Sequence, residues 1–211
     1  MTDTIDPKYF RQVMGQVPTT VTVITALVDE NPVAMVIGSF VSISLEPPLA
    51  GFFCTTESSS WKQLQKADVL GVNVLCDDQV DVSNACMRAP DERFDGLDWE
   101  LVDGAPRIAG CTAWMTLTPN EILPAGDHQF GMFNVTSMEI PEDPKSPVIF
   151  YGGSYRSLAA EEQVVTGPNQ SAVRIAWAAR SPAINAPSMW PGATVAVSVD
   201  AQCSRPLSAG C

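Results

Sequence analysis

The sequence predicts a mainly β fold, a closed or split β-barrel with short helices, and three observations support this prediction. About seven segments are rich in β-branched residues or alternate apolar with polar residues, as strands do. Only three segments carry helix start signals, and each of them is short. The sequence shows no long series of alternating strands and helices and no internal repeat, which argues against a doubly wound sheet.

The N-terminal part is predicted to form one helix followed by three strands. The helix covers residues 7–14, because Asp6 can cap it, Pro7 suits its first turn and Gly15 can end it. β-Branched runs then predict strands over residues 19–28, 33–45 and 49–54, the second with an internal glycine that suits a bulge. A polar turn over 29–32 separates the first two strands, and the proline pair of Glu46-Pro47-Pro48 ends the second.

The rest of the predicted barrel combines two helices with four strands. Ser58–Ser60 can cap a helix at about residues 60–67, and Asp77-Asp78 can open another that reaches about Met87. Residues 88–106 read as loop-rich, with Arg93-Phe94 and Trp99 as anchors. The remaining strands are predicted over residues 69–75, 111–123, 128–140 and 147–151.

Composition divides the chain into two parts at Leu158. Residues 159–211 are rich in Ala, Pro and Ser and hold three acidic and three basic residues, so the net charge of −12 resides in residues 1–158. We interpret residues 1–158 as the barrel domain and residues 159–211 as a poorly ordered C-terminal extension. A short helix over 171–179 and a short strand over 193–199 remain open as the alternative.

Charge and cysteine content argue against several functional classes. A net charge of −12 repels nucleic acid and anionic membranes, so small molecules and proteins are the expected partners. No run of about 18 apolar residues is present, and the acidic N-terminus lacks the apolar stretch of a signal peptide. The six cysteines include no CxxC pair, and Cys54, Cys76 and Cys111 lie in apolar runs. We therefore expect a cytoplasmic protein with reduced thiols.

Two serine-rich segments are candidates for binding a phosphate. Residues 38–49 place Ser39, Ser42 and Ser44 on one strand, and Gly38 leaves room for a ligand to approach the backbone. Residues 58–62, Ser-Ser-Ser-Trp-Lys, place three hydroxyls and one Lys at a predicted helix start. From the residues alone, solvent-facing serines explain the first segment better, and an ordinary helix cap explains the second equally well.

Two further segments carry side chains with catalytic or binding chemistry. His128 is the only histidine and follows Gly126-Asp127, so any imidazole chemistry must use it, although a lone His is more often structural. Arg93-Phe94-Asp95-Gly96 suits a lid or a cofactor contact, and a loop pinned by Phe94 explains it as well. The sequence contains no GxGxxG, Walker or GxSxG motif, and one His leaves few options for a triad or a metal centre.

Taken in order, these segments resemble the flavin reductase-like family, the small reductase components of two-component flavin monooxygenases. The resemblance covers roughly residues 5–158. Each run is weak evidence alone, but the ordered set is specific. The matching runs are FRQVMGQVPTTVTVITA, PVAMVIGSFVSISLEPPL, SSSWKQLQKADVLGVNVL, ERFDGLDW, GDH and PVIFYGGSY.

The resemblance implies a split-barrel fold, bound FMN or FAD, NADH or NADPH as reductant, a homodimer and a partner flavin-dependent oxygenase. It implies nicotinamide contacts at Tyr151, Tyr155 and near His128, which would be the catalytic residue. It implies flavin contacts along the serine strand and the SSSW helix, namely Ile37, Gly38, Ser39, Phe40, Ser44, Leu45, Ser58, Ser59, Ser60, Trp61 and Lys62.

Three positions depart from the family pattern. Thr19-Thr20 stand where members often have Thr-Gly, and the Gly38 region lacks a second hydroxyl that is common there. Gly152-Gly153 stand where a basic residue is frequent, so a charge that would favour dinucleotide phosphates is missing.

The leading hypothesis is an NAD(P)H:flavin oxidoreductase in which hydride passes from nicotinamide to flavin. The protein would supply stacking geometry and charge placement, and His128 would orient the nicotinamide or stabilise the developing anionic flavin. The alternative is a flavoprotein that holds FMN as a slow electron carrier, which Gly152-Gly153 favours slightly. A third hypothesis is a structural β-barrel dimer that binds no cofactor.

Overall fold

The computed structural model describes residues 5–158, and every element below belongs to that part of the chain. The α-helices are α1 (Pro7–Met14), α2 (Ser59–Leu64) and α3 (Val80–Cys86), and a short 3₁₀ helix spans Pro90–Glu92. The strands are β1 (Thr19–Thr20), β2 (Thr22–Val28), β3 (Asn31–Ile37), β4 (Val41–Leu45), β5 (Pro48–Thr55), β6 (Leu70–Val74), β7 (Trp99–Val102), β8 (Ala105–Ile108), β9 (Ala113–Ala125), β10 (His128–Glu139), β11 (Val148–Tyr151) and β12 (Ser154–Ser157). The predicted mainly β fold is confirmed.

Seven strands form one antiparallel sheet in the order β3-β2-β6-β9-β10-β5-β4. The sheet curls, because the edge strand β3 also contacts β5, which lies next to the opposite edge of the sheet. Its two edge strands, β3 and β4, are not hydrogen-bonded to each other within residues 5–158, so the barrel is split. A three-stranded sheet, β1-β11-β12, and the hairpin β7–β8 complete the described structure.

The barrel interior is filled by the inward residues of the strands and by one face of α2. The Phe52 ring stacks on Phe133 with 4.9 Å between centroids, and Trp61 packs edge-on against Phe52 at 5.6 Å. Such aromatic pairs add to the free energy gained by burying their surface. Trp61 and Leu64 are both 1% exposed, so α2 is fixed against the barrel by its apolar face.

The predicted strand over residues 33–45 is wrong in its extent, because the chain forms two strands separated at residues 38–40. The Ser39 hydroxyl accepts a hydrogen bond from Phe53 N at 3.0 Å and donates one to Phe53 O at 3.2 Å. At this point the Ser39 hydroxyl therefore takes the place of backbone hydrogen bonds between strands. A Cβ at Gly38 would come within 2.8 Å of Thr19 Oγ1, so close approach to Thr19 explains this glycine better than a bulge.

Other boundaries also differ from the prediction. Residues 88–106, predicted as loop-rich, include β7 and the start of β8. The turn of this hairpin uses Asp103 at φ 47° and Gly104 at φ 86°, the positive values that a type I′ turn needs. Strand β12 was not predicted. The helix predicted from Asp77 begins at Val80, because Asp77 N instead donates to Ser146 O at 2.8 Å.

A buried polar network joins the β7–β8 hairpin to the barrel. Asn73 on β6 is fully buried, and its Nδ2 donates to Thr25 Oγ1 at 3.1 Å and to Val23 O at 3.3 Å. Its Oδ1 accepts from Ile108 N at 2.7 Å, and Thr25 Oγ1 donates to Pro106 O. Because buried polar groups are costly when unpaired, this network fixes the hairpin in one position.

The cysteines of the described part, Cys54, Cys76, Cys86 and Cys111, are buried free thiols, as the apolar runs predicted for three of them. Burial raises the pKa of both Cys54 and Cys111 to about 12, so they remain neutral. Within residues 5–158, no helix is long and apolar enough to cross a membrane. The predicted extension 159–211, with its alternative helix and strand, lies outside the described residues.

The Asn73 network generates the first prediction. Replacing Asn73 by Leu leaves Ile108 N without its acceptor and Thr25 Oγ1 without its donor, so the free energy of unfolding should fall by on the order of 2–4 kcal/mol. Urea denaturation followed by tryptophan fluorescence measures this. Asn84→Leu is the matched control, because Asn84 is exposed on α3, and its stability should change by less than about 0.5 kcal/mol. Equal stability of the two variants would contradict the role of the network.

Candidate functional site

One cleft gathers residues from several of the predicted site segments. It has a volume of about 400 Å³ and is termed here the Ile37 cleft. Four residues that the resemblance singled out line it, namely Ile37, Gly38, Ser60 and Tyr155. Its other lining residues are mostly apolar, with Thr20 and Arg93 as the polar ones: Thr20, Val21, Met35, Val36, Cys86, Met87, Arg93 and Phe150. The cleft therefore combines broad apolar walls with one cation.

Arg93 is held by the surrounding backbone. Its Nε donates to Arg88 O at 3.0 Å, and its Nη1 donates to Ala34 O at 2.6 Å and to Ser60 Oγ at 2.7 Å. A guanidinium has five N–H groups, so these bonds use three of them. The two N–H groups on Nη2 have no hydrogen-bond partner among residues 5–158. A fixed, permanently charged guanidinium with two spare donors is a suitable partner for a phosphate.

A second cleft, of about 500 Å³, shares Ser60 and Arg93 with the first and is termed here the Asp29 cleft. Its other lining residues are Val28, Asp29, Asn31, Pro32, Val33, Ser59, Gln63, Pro90, Asp91 and Phe94. Asp29 enters it from the tight turn between β2 and β3, where it adopts a φ of 49°. Arg93 is the only Lys or Arg among the described residues that line either cleft.

The serines at the start of α2 have three different roles. Ser58 is the helix cap, and its Oγ accepts from Trp61 N at 3.2 Å. Ser59 is exposed and lines the Asp29 cleft, whereas the Ser60 hydroxyl accepts from Arg93. Lys62 lines neither cleft, and its Nζ lies 3.4 Å from Glu57 Oε2 on the surface. The cation of this region is thus Arg93, from another segment, and not the predicted Lys62.

Trp61 links α2 to the loop that carries His128. Its Nε1 donates to Gln129 Oε1 at 2.7 Å, and Gln129 directly follows His128 on β10. The His128 Nδ1 lies 2.7 Å from Asp127 Oδ1, and this hydrogen bond lowers the pKa of the Asp127 carboxyl. The ring is 40% exposed and lines neither cleft of the single chain. The structure therefore pairs His128 with Asp127 at the surface and does not place it beside Arg93.

The predicted contacts on the serine strand are spread over different environments. Phe40 packs against the barrel core, and Ser44 is half-buried on β4. Leu45 is exposed at the end of the same edge strand. None of these three residues lines the Ile37 or the Asp29 cleft. Ser39, whose hydroxyl is bonded to Phe53, also lies outside both clefts.

The two tyrosines of the predicted nicotinamide loop also separate. Tyr155 lines the Ile37 cleft, where its hydroxyl lies 2.9 Å from Ser83 Oγ and its ring packs edge-on against Phe150 at 5.5 Å. Tyr151 is exposed, and its hydroxyl donates to Gln16 Oε1 at 2.9 Å. Within the described residues, no group of His, Cys, Asp and Glu side chains is placed to hold a metal ion.

Sequence reasoning underrated Arg93. The loop containing it was identified as a lid or contact, but the residue was not among the predicted site residues. The signal available in the sequence was the scarcity of cations, since the chain holds 12 basic against 24 acidic residues. In such a chain an Arg next to an aromatic residue in a long loop is a candidate phosphate contact.

The fold and the cleft together define a class of protein. A split barrel whose apolar cleft contains one immobilised guanidinium suits an aromatic ligand that carries phosphate, as in nucleotide-binding barrels. A family model described as a flavin reductase like domain matches residues 14–159. The chain belongs to that family.

Individual relatives agree with this assignment. A flavin reductase from Pseudomonas putida is 37% identical over 158 residues, covering 74% of this chain and 92% of that protein. A solved structure, nitrilotriacetate monooxygenase component B from Mycobacterium thermoresistibile, superposes with a TM-score of 0.72 at 35% identity, over 79% of this chain and 93% of the other. The NADH:FAD oxidoreductase SgcE6 of Streptomyces globisporus superposes with a TM-score of 0.69 at 29% identity, over 76% and 99%.

Proposed function

We propose that this chain reduces a flavin with NAD(P)H and supplies the reduced flavin to a partner oxygenase. Membership of the flavin reductase family and the likeness to a monooxygenase component support the proposal. The observation that carries it is the Ile37 cleft, in which a broad apolar surface and Arg93 occur together. NADH is the reductant named for one of the structural relatives.

The residues of the Ile37 cleft fit a flavin. A planar aromatic ring system would lie against Met35, Ile37 and Phe150, which contribute apolar surface. The phosphate would accept from Arg93 Nη2, beside the Ser60 hydroxyl. A bound flavin supplies a two-electron acceptor, chemistry that belongs to the cofactor. The protein excludes water with the apolar walls and offsets the phosphate charge in an otherwise acidic molecule.

His128 is proposed to contact the nicotinamide. Its ring is oriented by the Asp127 carboxylate, and its neighbour Gln129 is bonded to Trp61 at the start of α2. The loop is also tied to β5, because Thr56 N donates to Asp127 O at 3.2 Å. An exposed, oriented imidazole can hold a polar group of an incoming substrate without binding the flavin itself.

A homodimer is proposed because one outer face of the barrel is apolar and exposed. The exposed apolar side chains that form it lie on β4, β5 and β9, which are neighbours of one another or of β10 in the sheet: Val41, Ile43, Phe53 and Leu123. Phe53 also packs on Phe130 of β10 with 4.7 Å between ring centroids. Contiguous apolar surface of this kind marks interaction sites, and a second copy can cover it on both partners at once.

The Arg93 assignment generates the second prediction. Arg93→Lys keeps a positive charge, but a single ammonium cannot bond to Arg88 O, Ala34 O and Ser60 Oγ and still offer two N–H groups to a phosphate, so FMN affinity should fall about tenfold or more. Calorimetric titration with FMN measures the change. Arg88→Lys is the matched control, because Arg88 is exposed and contacts Arg93 only through its backbone oxygen. If both variants bind FMN like the parent protein, Arg93 is not the phosphate partner.

The third prediction tests the activity and His128 together. The parent protein should oxidise many equivalents of NADH when FMN, FAD or riboflavin is supplied as acceptor. His128→Ala should lower the rate roughly tenfold or more with little change in flavin affinity, since only the nicotinamide contact is lost. Stopped-flow absorbance at the flavin band measures the reduction step.

His128→Gln is the companion variant, because its amide can still donate to Asp127 and should recover part of the rate. Reduction by His128→Ala at the parental rate would remove the proposed role of the imidazole. Oxidation of only one NADH per bound flavin, with no turnover of free flavin, would support the slow electron carrier instead.

The fourth prediction concerns the apolar face. Phe53→Lys places a charge at its centre, so sedimentation velocity should show a folded monomer where the parent protein sediments as a dimer. Met138→Lys serves as the control, because Met138 is 70% exposed on β10 and lies outside the face. A Phe53→Lys protein that remains a dimer would place the contact between copies elsewhere.

A further inference from the structure

The Asp29 cleft has no role in the function proposed above. It adjoins the Ile37 cleft, and Ser60 and Arg93 belong to both linings. A ligand that fills the first cleft and binds Arg93 therefore reaches the boundary of the second. The question is which chemical group the second cleft would accept from such a ligand.

Arg93 can serve both clefts at once. Its Nε and Nη1 are used by Arg88 O, Ala34 O and Ser60 Oγ, which fixes the plane of the guanidinium. The remaining pair of N–H groups on Nη2 has no partner among residues 5–158. Two donors on one nitrogen suit adjacent phosphate oxygens, such as those of a diphosphate.

The charges in the Asp29 cleft exclude a free terminal phosphate. Asp29 and Asp91 both line it, and Arg93 is the only opposing charge in its described lining. A phosphate deep in this cleft would face two carboxylates in an acidic molecule. Hydroxyl groups, in contrast, can donate to carboxylates, as ribose hydroxyls do in dinucleotide sites.

The walls of the Asp29 cleft suit a flat ring. Val28, Val33 and the half-buried ring of Phe94 give apolar surface, and the carboxamides of Asn31 and Gln63 give polar groups beside it. The Phe94 ring is held by Trp99, whose centroid lies 5.2 Å away. An aromatic base that carries exocyclic hydrogen-bonding groups matches this combination.

We propose that the Asp29 cleft binds the adenosine part of a dinucleotide whose diphosphate lies at Arg93. The inference rests on the proposed function, because it assumes that the flavin ring occupies the Ile37 cleft. The dinucleotide is then FAD, and the protein binds FAD more tightly than FMN. A nicotinamide dinucleotide carries the same adenosine diphosphate group, so the experiment separates these two sources.

The experiment compares two tryptophan variants of the full chain. Gln63→Trp fills the Asp29 cleft from the exposed surface of α2. Gln12→Trp places the same side chain on the exposed surface of α1, which lines neither cleft. Ser59→Phe is a second blocking variant from the first position of the helix. Calorimetry with FMN and FAD gives the affinities, and circular dichroism confirms that each variant is folded.

The parent protein and Gln12→Trp should bind FAD at least tenfold more tightly than FMN. Gln63→Trp and Ser59→Phe should reduce that ratio to about one. To test whether the adenosine of the nicotinamide dinucleotide occupies the cleft instead, KM is measured with NADH and with reduced nicotinamide mononucleotide as reductants. The nicotinamide dinucleotide would be assigned to the Asp29 cleft by one pattern. In the blocking variants, and not in the control, KM would rise for NADH but not for reduced nicotinamide mononucleotide.

Two results overturn the inference. Equal affinity of the parent protein for FMN and FAD, together with a KM for NADH that the blocking variants do not change, leaves the Asp29 cleft without adenosine. An FAD preference that survives both blocking variants places the adenosine elsewhere. In either case normal FMN binding and NADH turnover leave the proposed function intact, whereas failure of the parent protein to bind any flavin contradicts the proposed function itself.

Discussion

The buried side chain of Asn73 is the constraint on which the candidate site depends. It binds β2 through Thr25 and binds the β7–β8 hairpin through Ile108 N. Asp98, the last residue of the loop before the hairpin, is bonded to the residue that follows the hairpin, since Ala109 N donates to Asp98 O at 2.9 Å. Arg93 lies in that loop. The polar network thus fixes the hairpin that ends the Arg93 loop, and Arg93 is the only Lys or Arg in the described lining of the two clefts.

Under the proposed function, the fixed position of Arg93 accounts for the binding of an anionic cofactor by an acidic molecule. The net charge of −12 opposes any phosphate at long range. Three bonds to Ala34 O, Arg88 O and Ser60 Oγ immobilise the guanidinium before a ligand arrives, so little side-chain entropy remains to be lost on binding. The immobilised guanidinium therefore offsets the repulsion of a phosphate by the net negative charge. It does so without the basic residue that is frequent in the family where this chain has Gly152-Gly153.

Several predicted site residues do not have the predicted role, because their hydroxyls and charges are bonded to other groups of the protein. The Ser39 hydroxyl is bonded to the backbone of Phe53 on β5, just beyond the pairing of β4 with β5, and the Ser58 hydroxyl caps α2. Lys62 faces Glu57 at the surface. A residue type in a suitable motif indicates chemical capacity, but hydrogen bonds made in the folded chain decide whether that capacity is available to a ligand.

The sequence by itself determined the mainly β class, the helix Pro7–Met14 and the long strand pair of β9 and β10, because turn chemistry and strand patterning are local. It also determined the family, through an ordered set of short motifs. Only the tertiary structure placed Arg93 next to Ser60, 33 positions away in the chain, and left His128 outside both clefts. The physical reason is that contacts between distant segments depend on packing and buried hydrogen bonds, which no local pattern encodes.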